Sequence, residues 1–76
     1  MPEKLQNQIR QIRRGQTNLT QAQLAERVGC TRQTIVALEQ ERYNPSLILA
    51  MKIAGVLHVT LEKLFVLSEE DSFPSK

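Results

Sequence analysis

Residues 30–38, CTRQTIVAL, place two strong hydrogen-bonding side chains beside small apolar ones. If this segment is a helix, Ile35 and Leu38 lie on one face, because an α-helix repeats every 3.6 residues. The other face then carries Gln33, Val36, Ala37 and Gln40, with Arg32 on its flank. A guanidinium and a planar amide can each form two parallel hydrogen bonds with a flat polar partner, so this face has the chemistry of a recognition surface.

The groups on this face match the edges of base pairs in a DNA major groove. A glutamine amide pairs with adenine, an arginine guanidinium pairs with guanine, and the methyl groups of valine and alanine can meet that of thymine. A solvent-facing helix more often carries glutamate and lysine at such positions, so the pattern favours DNA. A plain polar surface is the alternative that these residues alone leave open.

The hydrophobic spacing predicts that helices precede this segment. The first is expected over residues 3–14, where apolar residues recur at Leu5, Ile9 and Ile12. Gly15 and the polar residues 16–18 should end it. Thr20 is a good N-cap for a second helix, and Gly29 should end that helix because glycine tolerates positive φ. The inner stripe of the second helix is Leu24, Ala25 and Val28.

Three further helices are predicted in the rest of the chain. Thr31 should cap the third, which runs to about Gln40. Asn44 and Pro45 predict the start of a fourth helix, with a capping side chain followed by proline at the first helical position. This fourth helix carries Leu47, Ala50, Ile53, Ala54 and Leu57. Thr60 should cap a short fifth helix with Leu61, Leu64 and Phe65, and the one strand candidate is Phe65-Val66-Leu67.

Composition limits the classes of protein that remain. The chain has 76 residues and a net charge of +2, with the basic excess in residues 1–52 and an acidic excess in residues 53–76. The first part could therefore face a polyanion, although ordinary surface charge explains the balance equally well. One cysteine, Cys30, and one histidine, His58, can form neither an internal disulfide nor a four-ligand zinc site. We expect one domain over residues 1–67 and a polar tail over residues 68–76.

Other functional classes lack their sequence patterns. We expect no signal peptide and no membrane span, because residues 1–10 have no continuous apolar core and no run of about 18 apolar residues exists. This predicts a cytoplasmic protein, which DNA binding through residues 30–38 would associate with the nucleoid. No nucleophile–base pair, carboxylate–histidine cluster or phosphate-binding glycine loop can be assembled. An enzyme, a metal and a cofactor are therefore not expected.

Two longer segments resemble a known family. LTQAQLAERVGCTRQTIVALE is similar to the helix-turn-helix of the phage repressor and Cro family, also called Xre-type regulators. ERYNPSLILAMKIAGVLHVTLEKLF resembles the rest of that domain in its small, single-domain bacterial members. The resemblance covers about residues 5–65. It implies an all-α, five-helix bundle that binds DNA as a dimer and regulates transcription, with the helix-turn-helix in helices two and three.

The resemblance also implies roles for individual residues. Base contacts are expected from the outward positions of the third helix: Arg32, Gln33, Val36 and Ala37. Phosphate contacts are expected from Gln21, Thr31, Thr34, Arg42, Tyr43 and Asn44. The free N–H groups of a proline-started helix would form an anion site beside residues 42–44, although Tyr43 and Asn44 could instead only pack and cap. In the family, an arginine of the first helix forms a buried ion pair with a glutamate of the third helix. Here that glutamate is Glu39, and the arginine is Arg13 or, as the fallback, Arg14.

The apolar residues near the end of the domain predict a two-fold dimer. They are more than a short helix can bury alone: Leu61, Leu64, Phe65, Val66 and Leu67. Closure of the monomer's own core is the alternative.

The expected function is a repressor that binds an inverted repeat as a homodimer. An antitoxin that binds a toxin protein and its own operator is the second hypothesis. A protein-interaction module that has lost DNA binding is disfavoured by the intact Gln21, Arg32 and Gln33.

Three positions depart from the family pattern. Asn18 stands where a glycine usually precedes the second helix, and the first connection is one residue longer. His58 stands where glycine or asparagine often ends helix four, so we expect it to occupy the left-handed conformation. Cys30 replaces a small apolar residue, and packing is its favoured role. A redox-sensing thiol would need exposure and a lowered pKa.

Overall fold

The structure is a computed structural model that describes residues 5–67, in which five helices lie between two short strands. The elements are β1 (Leu5–Asn7), α1 (Ile9–Gln16), α2 (Gln21–Val28), α3 (Arg32–Glu39), α4 (Leu47–Leu57), α5 (Leu61–Leu64) and β2 (Phe65–Leu67). This confirms the predicted all-helical class with a short C-terminal strand. None of the helices in residues 5–67 is long and apolar enough to cross a membrane. The predicted tail and the first two residues of the predicted first helix lie outside the described residues.

Local capping explains where α2 and α3 begin. Thr20 Oγ1 accepts a hydrogen bond from Gln23 N at 3.0 Å, and Gln23 Oε1 accepts one from Thr20 N at 2.9 Å. This reciprocal pair is a capping box, which occupies two backbone donors that a helix start leaves free. Thr31 Oγ1 likewise accepts from Thr34 N at 3.2 Å. Both predicted starts are confirmed.

The first helix begins later than predicted. Residues 5–7 form β1 instead, antiparallel to β2, with Leu5 opposite Leu67 and Asn7 opposite Phe65. Asn7 then turns the chain into α1, because its Oδ1 accepts from Ile9 N at 3.1 Å while its Nδ2 donates to the Leu38 carbonyl at 2.7 Å. The helix ends later too, since α1 includes Gly15 and Gln16. The predicted helix is therefore wrong for residues 5–8. There, pairing with a strand at the far end of the domain overrides the local helical pattern.

The fourth helix begins two residues later than predicted. Ser46, with ψ 162°, is its N-cap, and Ser46 Oγ accepts from Leu49 N at 3.1 Å. The predicted start, with Asn44 as cap and Pro45 inside the helix, is therefore wrong. The serine hydroxyl satisfies a first-turn donor directly, and Pro45 lies outside the helix.

Within residues 5–67, three connections turn through the left-handed conformation. Gly29 has φ 81° at the end of α2, and His58 has φ 62° at the end of α4, as predicted for both positions. Glu41, with φ 61°, was not predicted to do so. Around it, Glu41 N donates to the Leu38 carbonyl and Arg42 N to the Ala37 carbonyl, both at 2.9 Å, which is the Schellman arrangement at the end of α3.

The core draws on every helix. Its fully buried side chains are Ile9, Leu24, Ile35, Leu38, Ile53, Leu57 and Leu64. Each such leucine or isoleucine contributes about 1.5–3 kcal/mol when buried. Because Ile35 and Leu38 are both fully buried, α3 is fixed in rotation and its opposite face is directed outward. By contrast, α4 also exposes large apolar side chains at Leu47, Ile48 and Met51.

Candidate nucleic acid interface

The outward face of α3 (Arg32, Gln33, Val36 and Ala37) is accessible. Arg32 and Gln33 are exposed in the first turn, while Val36 and Ala37 are half-buried one turn later. Neither polar side chain has a hydrogen bond to another described residue, whereas the inner side of the helix is fully packed. The long polar side chains are therefore one turn nearer the N-terminus of α3 than the two small apolar ones, an arrangement that suits a helix in a DNA major groove.

A buried ion pair joins α1 to α3 behind this face. Arg13 Nε donates to Glu39 Oε2 at 2.8 Å, and Arg13 Nη2 donates to Glu39 Oε1 at 3.3 Å. The side chains are only 11% and 3% exposed. Arg13 Nη1 also donates to the Leu19 carbonyl at 3.0 Å, which ties the long first connection to the same guanidinium. The structure places Arg13 in this pair, and the fallback residue, Arg14, is exposed.

Gln21 opens α2 beside the pair. Its Nε2 donates to Glu39 Oε1 at 3.0 Å, and an amide nitrogen carries two hydrogens. One hydrogen is thus engaged by Glu39, and the second can still donate to a phosphate oxygen. The backbone N–H groups of Gln21 and Ala22 lie in the first turn of α2, where no carbonyl of the helix can accept from them.

A cleft of about 710 Å³ separates α1 from the start of α2 and the outer side of α3. We call it the α1–α3 cleft. It is lined by Arg10, Arg13, Arg14, Leu19, Thr20, Gln21, Ala22, Arg32, Val36, Glu39 and Gln40. The cleft brings one residue predicted to contact phosphate, Gln21, to the same concave surface as two predicted to contact bases, Arg32 and Val36. Gln33 and Ala37 lie outside its lining.

The connection between α3 and α4 holds a separate group of predicted phosphate contacts. Arg42, Tyr43 and Asn44 are all exposed there. Arg42 Nε donates to Gln40 Oε1 at 2.7 Å, which leaves both terminal nitrogens of the guanidinium available. Because α4 starts at Leu47, its free first-turn N–H groups lie two residues later than the sequence predicted.

Thr31 and Thr34 are engaged with each other. Their hydroxyl oxygens are 3.0 Å apart, and Thr31 Oγ1 also serves as the cap of α3. Thr31 is exposed and Thr34 is half-buried. One hydroxyl hydrogen is used between them, so at most one remains for a phosphate oxygen.

The five residues predicted to form a dimer interface divide into two groups. Leu64 is fully buried, and Leu61 and Phe65 pack against the same core, so these three serve the monomer. Val66 and Leu67 remain 44% and 45% exposed on β2. In the two-stranded sheet of residues 5–67, each strand has one paired edge and one open edge.

Cys30 is half-buried against the core, in the turn between α2 and α3. Burial raises the pKa of its thiol above the ordinary value. A raised pKa lowers the thiolate fraction at neutral pH, so the environment is that of a packing cysteine.

Sequence analysis assigned no nucleic acid contact to three polar residues beside the predicted interface. Arg10 and Arg14 line the α1–α3 cleft, and Gln40 both lines it and accepts from Arg42. The spacing of the two arginines, one helical turn apart, was the available indication. Their proximity to α3 depends on the packing of α1, which the pattern did not reveal.

Comparison with known proteins identifies the domain. A helix-turn-helix family model matches residues 9–64. The chain is similar to an uncharacterised HTH-type transcriptional regulator of Archaeoglobus fulgidus, which is 52% identical over 58 residues, or 76% of this chain and 82% of the relative. It is also similar to an uncharacterised HTH-type transcriptional regulator of Methanothermobacter thermautotrophicus, which is 57% identical over 58 residues, or 75% of this chain and 84% of the relative. The immunity repressor of Bacillus phage phi105 is 34% identical over 73 residues, which are 90% of this chain and 50% of the repressor. The chain therefore belongs to the helix-turn-helix family of the phage repressor and Cro type.

Proposed function

We propose that the protein is a transcriptional repressor that binds an inverted-repeat operator as a homodimer. The observation that carries this proposal is the outward face of α3, where Arg32 and Gln33 are exposed and make no hydrogen bonds to other described residues. The names of its relatives support it, since they are transcriptional regulators and a phage immunity repressor.

In this proposal, α3 enters the major groove and reads base edges. Arg32 and Gln33 form bidentate hydrogen bonds, while Val36 and Ala37 meet thymine methyl groups. Gln21 on one side and Arg42, with Tyr43 and Asn44, on the other bind phosphates and fix the register of the helix. Thr31 and Thr34 together donate at most one hydroxyl hydrogen to a phosphate oxygen of the DNA backbone.

The dimer is proposed to form through β2. Its exposed Val66 and Leu67 lie beside an open strand edge, and such an edge is a template for pairing with another chain. A two-fold axis there would let the sheets of two protomers pair and cover these side chains, with α5 behind them. Leu61, Leu64 and Phe65 then support the interface from within each core.

The interface needs a test that preserves the monomer. Truncation would remove the strand that pairs with β1, so substitution is preferable. Val66→Lys with Leu67→Lys should yield a monomer in sedimentation at tens of micromolar while the melting transition persists, because both side chains are exposed. If the wild-type chain is itself monomeric at that concentration, the interface is wrong.

Selection from a randomised DNA pool tests the function as a whole. The expected product is an inverted repeat whose half-site centres lie about 10–10.5 base pairs apart, so that two copies of α3 enter successive major grooves. Placed over a promoter, this site should lower transcription when the protein is present. Recovery of no enriched sequence would contradict the proposal, and increased transcription would contradict repression.

A further inference from the structure

An open groove of about 570 Å³ lies between α1 and the turn that joins α4 to α5. We call it the α1–α5 groove. Gln8, Ile12 and Gln16 line it from α1 and its N-cap, and their spacing of four residues places them on one side of the helix. Arg10 and Arg14 lie on the opposite side of α1, where they line the α1–α3 cleft. The groove is therefore separate from the surface proposed to bind DNA.

The α1–α5 groove has an apolar floor and polar walls. Ile12 and Val59 form the floor, since both are half-buried and pack against the core. The walls consist of the two glutamine amides on the α1 side and of His58 and Lys63 on the other side. All four of these polar side chains are exposed, and none makes a hydrogen bond or an ion pair to another residue of the range 5–67. Their donors are therefore available to a ligand.

His58 gives an independent indication of a ligand. Its φ of 62° and ψ of 44° place it in the left-handed conformation, which is strained for a residue with a side chain. A glycine would make the same backbone hydrogen bonds at the end of α4 without this strain, so the fold itself gives no reason for a histidine here. Strained residues of this kind cluster at ligand sites. In either protonation state, the imidazole keeps at least one N–H donor.

The charge and the size of the groove indicate the class of ligand. Lys63 is cationic, and among residues 5–67 no carboxylate lines the groove to balance it. The volume lies within the range of about 300–1,000 Å³ that is typical of small-molecule sites, which combine apolar surface with a few polar groups. An anion with an apolar body fits both features, whereas a bare inorganic anion would leave Ile12 and Val59 uncovered.

We propose that the α1–α5 groove binds a small organic carboxylate. Lys63 and His58 donate charge-assisted hydrogen bonds to the carboxylate, while the apolar body of the ligand covers Ile12 and Val59. The two glutamine amides can donate to or accept from any further polar group of the ligand. The proposal does not depend on DNA binding, because none of these residues belongs to α3 or to the α1–α3 cleft.

Titration of the isotope-labelled protein with hexanoate, followed by the chemical shifts of its backbone amides, tests the proposal. Saturable shifts are expected at Ile12, Val59 and Lys63, with a dissociation constant on the order of 1 mM, which so few ligand atoms can provide. Hexanamide has a similar apolar body without the charge and should bind about fivefold more weakly. Inorganic phosphate has the charge without the apolar body and should also bind more weakly than hexanoate.

Variants of equal charge locate the site. Lys63→Gln should weaken hexanoate binding about fivefold. Lys52→Gln removes one exposed cation from α4 outside the lining of the groove and should leave the binding unchanged. His58→Gly separates ligand binding from stability, because hexanoate should bind more weakly to this variant although its melting temperature should rise.

Three outcomes would overturn the proposal. The first is a set of shifts that does not saturate or that lies away from the groove. The second is binding of hexanamide or inorganic phosphate as tight as that of hexanoate, since the charge or the apolar floor would then have no part in recognition. The third is equal affinity of Lys63→Gln and Lys52→Gln for hexanoate, with the melting transition of each variant confirming that it is folded. Failure of the wild-type chain to bind any DNA duplex would instead refute the proposed function and leave this proposal intact.

Discussion

Removal of Glu39 should destabilise the fold more than any change of an exposed charge. The carboxylate accepts two hydrogen bonds from Arg13, at 2.8 and 3.3 Å, and one from Gln21 at 3.0 Å. In Glu39→Gln, the guanidinium of Arg13 keeps its bond to the Leu19 carbonyl but loses its counter-ion at a site where its side chain is 11% exposed. A stranded buried charge costs about 3–5 kcal/mol.

That cost is large for a domain of this size. Stabilities of about 0.05–0.15 kcal/mol per residue give roughly 4–11 kcal/mol for 76 residues. Since 1 kcal/mol corresponds to about 4–8 °C in a domain of 60–100 residues, the melting temperature should fall by at least about 12 °C.

Thermal melts followed by circular dichroism provide the measurement, with Arg14→Ala as the control. The control replaces an exposed neighbour of Arg13 and should change the unfolding free energy by no more than about 0.5 kcal/mol. The double variant Arg13→Leu, Glu39→Leu should be more stable than Glu39→Gln, because neither charge is then left without its partner. If Glu39→Gln and Arg13→Ala both melt within about 4 °C of the wild type, the ion pair does not hold α1 against α3.

Three further predictions concern single residues. Ser46→Ala should lower the unfolding free energy by about 1 kcal/mol because the α4 cap is lost, whereas Asn44→Ala should lower it by less than about 0.5 kcal/mol. Equal losses in chemical denaturation would show that Ser46 is not the cap of α4. His58→Gly should raise the melting temperature by about 4 °C or more, because the left-handed conformation costs a side chain about 1–2 kcal/mol; a lower melting temperature would show that the imidazole has a stabilising contact. Burial raises the pKa of the Cys30 thiol in the folded state, so the unfolding free energy should be unaffected below the ordinary thiol pKa and should fall as pH rises through the raised value. Cys30→Ser should lack this fall, and iodoacetamide should alkylate the folded wild type more slowly than the unfolded chain at neutral pH.

The helix-turn-helix could be predicted because its determinants are local. Thr20 and Thr31 bond to backbone groups three residues ahead, and Gly29 adopts a conformation that glycine favours wherever it occurs. Such choices depend on a few neighbouring residues and are visible in the sequence. With Ile35 and Leu38 in the core, the outward face of α3 follows from helical geometry alone.

The parts that sequence analysis missed depend on distant partners. Residues 5–7 form a strand only because β2 is available to pair with them, and Gln8 N donates to the Leu64 carbonyl at 2.8 Å. The left-handed Glu41 is held by its Oε2, which accepts from Asn7 N at 3.1 Å. A helical spacing pattern contains no information about either partner. The same limitation hid the cleft, since the packing of α1 on α3 decides where Arg10 lies.

The outward face of α3 is the central element of this account, and a comparison of Gln33→Ala with Arg42→Ala tests it most directly. Both variants should be titrated with the selected inverted repeat and with a scrambled duplex at two salt concentrations. Loss of a bidentate base contact should reduce the preference of Gln33→Ala for the repeat by about 1–3 kcal/mol per half-site. Loss of a phosphate contact should weaken binding of Arg42→Ala to both duplexes alike and lower the salt slope by about one per contact. If Gln33→Ala and Arg32→Ala both keep the full preference of the wild type, α3 does not read the sequence.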